Sequence, residues 1–125
     1  MIKGLGIDIV KVSRIKKIID KWGINFLKKV FTPDEIEYCE SKARKQEYYA
    51  ARFAAKEAAV KMLGIGEGIS WQDIEVRKMK SGKPELVLKG KALQTADDIG
   101  IKYIHISLSH EREMAIAEII GEGDI

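Results

Sequence analysis

Cysteine is nearly absent from this chain: Cys39 is the one thiol in 125 residues, so no internal disulfide can form. That suits a reducing, cytoplasmic setting, and its place in a predicted helix makes Cys39 structural rather than catalytic. No apolar run approaches the ~20 residues that a membrane-spanning helix needs, so no membrane partner is expected. The N-terminus, MIKGLGIDIVK, begins at once with strand-like residues and does not read as a signal peptide. Repeats, low-complexity tracts and linkers are all missing, and the length suits one domain over residues 1–125. Aromatic residues are sparse, at 7%, and are not interleaved with the basic ones. This argues against a stacking platform for single-stranded nucleic acid, although a basic helix would meet the electrostatic requirement of such a module.

What is present is a globular composition, 46% apolar and 33% charged, with a lopsided charge. Residues 1–30 hold eight basic side chains against two acidic ones, a local charge of +6, and the rest of the chain carries −3. Such asymmetry is either a lysine-rich solvated face or a docking surface for something acidic.

The hydrophobic pattern predicts an α+β protein. GLGIDIV (4–10) reads as a buried strand with one acid in it. Ser13 is placed to cap an amphipathic helix with Ile15, Ile18, Ile19 and Trp22 on one stripe, ended by Gly23. Thr32-Pro33-Asp34-Glu35 has the capping-box pattern and starts a helix reaching about Ser41. An alanine-rich helix follows from about Gln46 to Leu63, and Gly64, Gly66 and Gly68 make a connection. Trp71–Met79 and Glu85–Lys89 are predicted strands around the Ser81–Pro84 turn. Ala92–Ile99 is a short helix, and Lys102–Ser109 alternates cleanly before a last strand, Met114–Ile120. Helices therefore concentrate in the first half and a three-stranded sheet in the second, joined by the first strand.

Two acids stand out. Glu57 lies in AARFAAKEAAVKMLG (50–64), a segment apolar around most of its circumference, where a carboxylate needs a cation, hydrogen-bond donors or a metal. Lys61, four residues on, allows a plain i,i+4 ion pair. Asp8 is equally isolated in its strand, and aspartate is depleted from strands. Two acids on adjacent rigid elements suit Mg²⁺, which takes one or two carboxylates and fills its shell with water and phosphate oxygens.

GLGIDIV at 4–10 together with RFAAKEAAVKMLG at 52–64 resembles the holo-acyl-carrier-protein synthases, the compact branch of the 4'-phosphopantetheinyl transferases. The G-x-D element falls on Gly6 and Asp8, and K-E-x-x-x-K on Lys56, Glu57 and Lys61. The likeness continues through FTPDEIEYC (31–39), GKP (82–84) and HISLSHE (105–111). It implies an antiparallel sheet packed against a long buried helix and shorter helices. It also implies transfer of 4'-phosphopantetheine from coenzyme A to a serine of apo acyl carrier protein, releasing adenosine 3',5'-bisphosphate.

By this resemblance Asp8 and Glu57 bind Mg²⁺ and, with Lys61, form the catalytic group. The serine's proton acceptor is Glu57 or a water on the metal beside it. Arg52, Lys61, Gly82, Lys83, Pro84 and His105 contact coenzyme A. Arg14, with Lys17 and Lys21, docks the acidic carrier protein. A homotrimer with sites between subunits is implied, and nucleic acid is not an expected partner. Ser109 and His110 are adjacent, but neighbours on a strand face opposite ways, so they are not read as a nucleophile and its base.

Overall fold

A computed structural model describes the whole chain, Met1–Ile125. Strand β1 (Ile2–Lys11) runs directly into helix α1 (Val12–Trp22), followed by α2 (Ile24–Val30), α3 (Pro33–Glu40) and α4 (Lys45–Leu63). A single 3₁₀ turn (Trp71–Asp73) precedes the hairpin β2 (Ile74–Lys78) and β3 (Pro84–Leu88), and α5 (Gly90–Asp98), β4 (Tyr103–His110) and β5 (Met114–Glu122) complete the chain. The main sheet is antiparallel, in the order β1-β5-β4, and the β2–β3 hairpin forms a separate two-stranded sheet. The α+β expectation holds, but the main sheet takes two strands from the second half rather than three, with β1 joining them. Strands β2 and β3 pair only with each other, from Ile74 opposite Leu88 to Lys78 opposite Pro84.

Four local expectations are corrected. β1 is buried on one face only: Gly6 and Val10 are covered, whereas Leu5, Ile7 and Ile9 on the other face are more than half exposed. Ser13 does not cap α1, because the strand passes straight into the helix at Lys11 and the Val12 N–H instead donates to the Glu113 carbonyl at 2.9 Å. Trp22 leaves the buried stripe and is 58% exposed, because α1 ends there at Gly23, whose φ of +57° turns the chain into α2. Trp71–Asp73 is a capped turn rather than strand, since the Ser70 hydroxyl accepts from the Gln72 N–H and the Asp73 carboxylate from the Ser70 N–H. The predicted capping box is present: Thr32 and Glu35 exchange hydrogen bonds at 2.9 and 3.3 Å.

Helix α4 is the axis of the fold, and glycine makes its contact with the sheet possible. A Cβ on Gly6 would lie 1.8 Å from the Ala58 carbonyl oxygen, and one on Gly4 2.3 Å from that of Met62. The backbones of β1 and α4 therefore touch directly, with no side chain between them. Residues 4, 6, 8 and 10 share the face turned toward α4.

On another side of α4, Lys56 is fully buried. It pairs with the equally buried Glu35 at 2.8 Å and donates to the carbonyls of Trp71, at 3.1 Å, and Ile74. Burial pulls its ammonium below the usual lysine range, and Glu35 works against that. Glu35 also accepts from the Val76 N–H at 2.9 Å, so one carboxylate ties α3, α4 and β2 together. Replacing Lys56 by Met leaves the buried Glu35 carboxyl without its cation, and urea unfolding is expected to show a loss of about 3–5 kcal/mol. Cys39 is also buried, which pushes its thiol up to about 12 and keeps it a packing group.

Candidate active site

The direct approach of β1 to α4 brings Asp8 beside Glu57 and Lys61. Lys61 Nζ crosses from the last turn of α4 to donate to Asp8 Oδ1 at 3.1 Å and to the Ile7 carbonyl at 2.9 Å. Glu57 lies one turn earlier on the same helix face, yet it forms no ion pair with Lys61, whose partner is Asp8. Burial first, and the nearby Asp8 charge second, hold the Glu57 carboxyl above the usual range, while Arg14 and Lys61 pull it down. Arg14 projects from α1 and so completes a charged cluster of two acids and two bases on three elements.

A carboxylate whose proton affinity is raised by burial and by a second carboxylate beside it leaves room for a cation. No group of three or more His, Cys, Asp or Glu side chains gathers anywhere in the chain. Asp8 and Glu57 thus fit a hard ion that takes one or two protein carboxylates, not a zinc-type cage. Beside Glu57 opens a cavity of about 310 Å³, walled by Val60, Gly66, Ile69, Ser70, Trp71 and Ile74. Its floor is the segment that Lys56 holds against α4.

A second cavity, of about 160 Å³, lies toward the N-terminal half of α4 and is lined by Arg52, Gly82, Pro84 and His110, with Tyr38 and Tyr48. Arg52 is 5% exposed and has no ion-pair partner, and its Nε has no hydrogen-bond partner. A guanidinium is charged at any ordinary pH, so this pocket holds a buried, unneutralised cation, which is what an anionic ligand would complete.

A model of the 4'-phosphopantetheinyl transferase superfamily matches residues 4–117. The holo-[acyl-carrier-protein] synthase of Halothermothrix orenii is 55% identical over 123 residues, 98% of each chain. The chain belongs to the 4'-phosphopantetheinyl transferase superfamily. Solved structures of superfamily members agree with the fold. A holo-(acyl-carrier-protein) synthase from Bacillus anthracis, in complex with CoA (3',5'-ADP), is 36% identical with a TM-score of 0.80, covering 99% of both chains. The Helicobacter pylori holo-[acyl-carrier-protein] synthase, in complex with coenzyme A, is 32% identical with a TM-score of 0.82, covering 94% of this chain and 99% of that one.

Within this transferase chain the expected site residues fall into three places. Asp8, Glu57 and Lys61 meet at the β1–α4 contact, and Arg52, Gly82 and Pro84 share the second cavity. Lys83, in the same turn, is exposed and does not line the cavity. His105 lies elsewhere, on the open face of the main sheet, paired with Glu122 at 3.0 Å. Arg14, Lys17 and Lys21 are exposed on α1. Three residues of this transferase were not singled out as site residues from sequence. His110 lines the second cavity, and Tyr38 and Tyr48 flank it. Alternation along β4 turns His110 inward and Ser109 outward, which was legible. The tyrosines gave no signal, because they come from α3 and α4 at positions that look like ordinary packing.

Proposed function

We infer that this chain moves the 4'-phosphopantetheine arm of coenzyme A onto a serine hydroxyl of an apo acyl carrier protein, leaving adenosine 3',5'-bisphosphate. The observation that carries this is the Asp8–Glu57 pair held at the β1–α4 contact in a chain of this superfamily. Residues 1–125 act as one transferase domain. Asp8 and Glu57 would hold Mg²⁺, which when bound supplies charge neutralisation on the pyrophosphate. Lys61 anchors Asp8 and presents a second positive charge to the same phosphate oxygens. The serine's proton acceptor is Glu57 or a water beside it. Arg52, with the Gly82-Lys83-Pro84 turn, receives the nucleotide end of coenzyme A.

The carrier protein docks on α1 through Arg14, Lys17 and Lys21, the part of the chain with local charge +6. Because Arg14 also acts on Glu57, the docking helix and the reacting centre adjoin. A homotrimer accounts for two further observations. The open sheet face presents Leu5, Ile7, Ile9, Ile116 and Tyr103, an apolar patch that a second copy would cover. His105 stands on that face, where it would reach a neighbour's coenzyme A. No helix is long and apolar enough to cross a membrane, and we assign the activity to the cytoplasm.

The test is mass spectrometry of an apo acyl carrier protein incubated with this protein, coenzyme A and Mg²⁺, beside an EDTA control. The expected result is a gain of one phosphopantetheine on the serine, absent with EDTA. Unmodified carrier in both samples, with folded protein, would overturn the reading.

A further inference from the structure

The Arg52 guanidinium is not simply buried; it lies over the ring of Tyr38, with Cζ 4.1 Å from the ring centroid. Two more cations converge on the same ring, Lys42 Nζ at 4.8 Å and Lys78 Nζ at 5.7 Å. None of the three has a carboxylate partner within ion-pair distance, whereas Arg77 beside them is neutralised by Glu75 at 2.7 Å. The 160 Å³ cavity and an adjoining one of about 290 Å³ share Tyr38, Arg52, Arg77 and Lys78 as walls, and Asp34 is the acidic residue in the larger one. An aromatic ring half-buried at the centre of three unpaired cations does more than fill space.

We propose that Tyr38 is a positioning residue for the phosphate end of coenzyme A, acting through Arg52. A guanidinium stacked on a ring keeps its plane, and its N–H edges stay free to point outward. The ring thereby stands in for the carboxylate that would otherwise neutralise Arg52 and occupy those N–H groups. A phosphate entering the cavity meets a cation that is already oriented and not already paired, which suits bidentate binding. The ring's quadrupole also holds Lys78, a wall of both cavities, without cancelling its charge. The proposal rests on the coenzyme A reading of this cavity.

The test compares Tyr38→Leu with Tyr38→Phe in steady-state kinetics, with thermal unfolding to confirm that each variant is folded. Tyr38→Leu is expected to raise KM for coenzyme A about tenfold with kcat within about twofold, a loss of binding alone. Tyr38→Phe keeps the ring and is expected to restore KM. In an Arg52→Met background, Tyr38→Leu should add nothing, because its target is gone. Calorimetry with adenosine 3',5'-bisphosphate reads the same ordering without turnover. Wild-type KM and bisphosphate affinity in Tyr38→Leu, or an undiminished effect in the Arg52→Met background, overturn the role of Tyr38 alone. A wild-type protein that neither turns over coenzyme A nor binds the bisphosphate overturns the site reading and this proposal together.

Discussion

Glu57→Gln is expected to lower transferase turnover by about a thousandfold, roughly 4 kcal/mol of transition-state stabilisation, while leaving a folded protein. The two halves of this result have one physical origin. Glu57 has no ion-pair partner to lose, and burial together with the Asp8 charge holds its carboxyl above the usual range. A carboxyl raised in the fold adds stability only where it is protonated, and that contribution disappears as pH rises through its folded value. At neutral pH the charged carboxylate is thus a burden on the apo protein, and a neutral amide relieves it. Thermal unfolding without divalent ions should place Glu57→Gln at or above wild type. Added Mg²⁺ should raise the melting temperature of wild type and not of the variant, since only a state that binds the ion gains from it. Asp8→Asn should lose turnover similarly. If both variants kept wild-type turnover at low Mg²⁺, the site would lie elsewhere.

Gly6→Ala is the substitution expected to cost most in stability for the fewest atoms added. Its Cβ would stand 1.8 Å from the Ala58 carbonyl oxygen and 2.7 Å from the carbonyl carbon. These are backbone atoms of a helix whose own hydrogen bonds hold them, so β1 and α4 must separate. Overpacking a core usually costs about 1–3 kcal/mol, and a clash with backbone belongs at or beyond the upper end. Urea unfolding should therefore show a loss of about 3 kcal/mol or more, and turnover should fall because Asp8 moves away from Glu57 and Lys61. Gly66→Ala is the contrast: its Cβ would meet only the Val60 side chain, at 3.0 Å, and φ there is not positive. That variant should stay within about 1 kcal/mol of wild type.

Several parts of this architecture are legible in the residues themselves. The alanine-rich helix, the Thr32–Glu35 capping box and the alternation of β4 follow from rules that act over a few neighbouring residues. The motifs on Asp8, Glu57 and Lys61 are equally local, and they sufficed to point at the chemistry. The partners of the charges were not legible. Lys61 offers an obvious mate in Glu57 four residues away, yet it bonds Asp8, 53 residues distant in the chain. In the same helix the most deeply buried charge is not Glu57 but Lys56, whose carboxylate comes from α3. Arg52 is expected from the resemblance to contact coenzyme A, but its place against Tyr38 is not announced by any neighbouring residue.

The sequence by itself determined most helices, though not α2, most strands, the family and which two acids stand out as candidates for the site. Tertiary structure alone decided which face of β1 is open, why Trp22 is exposed, where His105 stands and which charge neutralises which. The physical reason is one of range. Periodicity, capping and helix propensity are set by backbone geometry within a turn or two. Burial and ion pairing depend on which distant elements come into contact, and here two glycines that let β1 touch α4 set that contact.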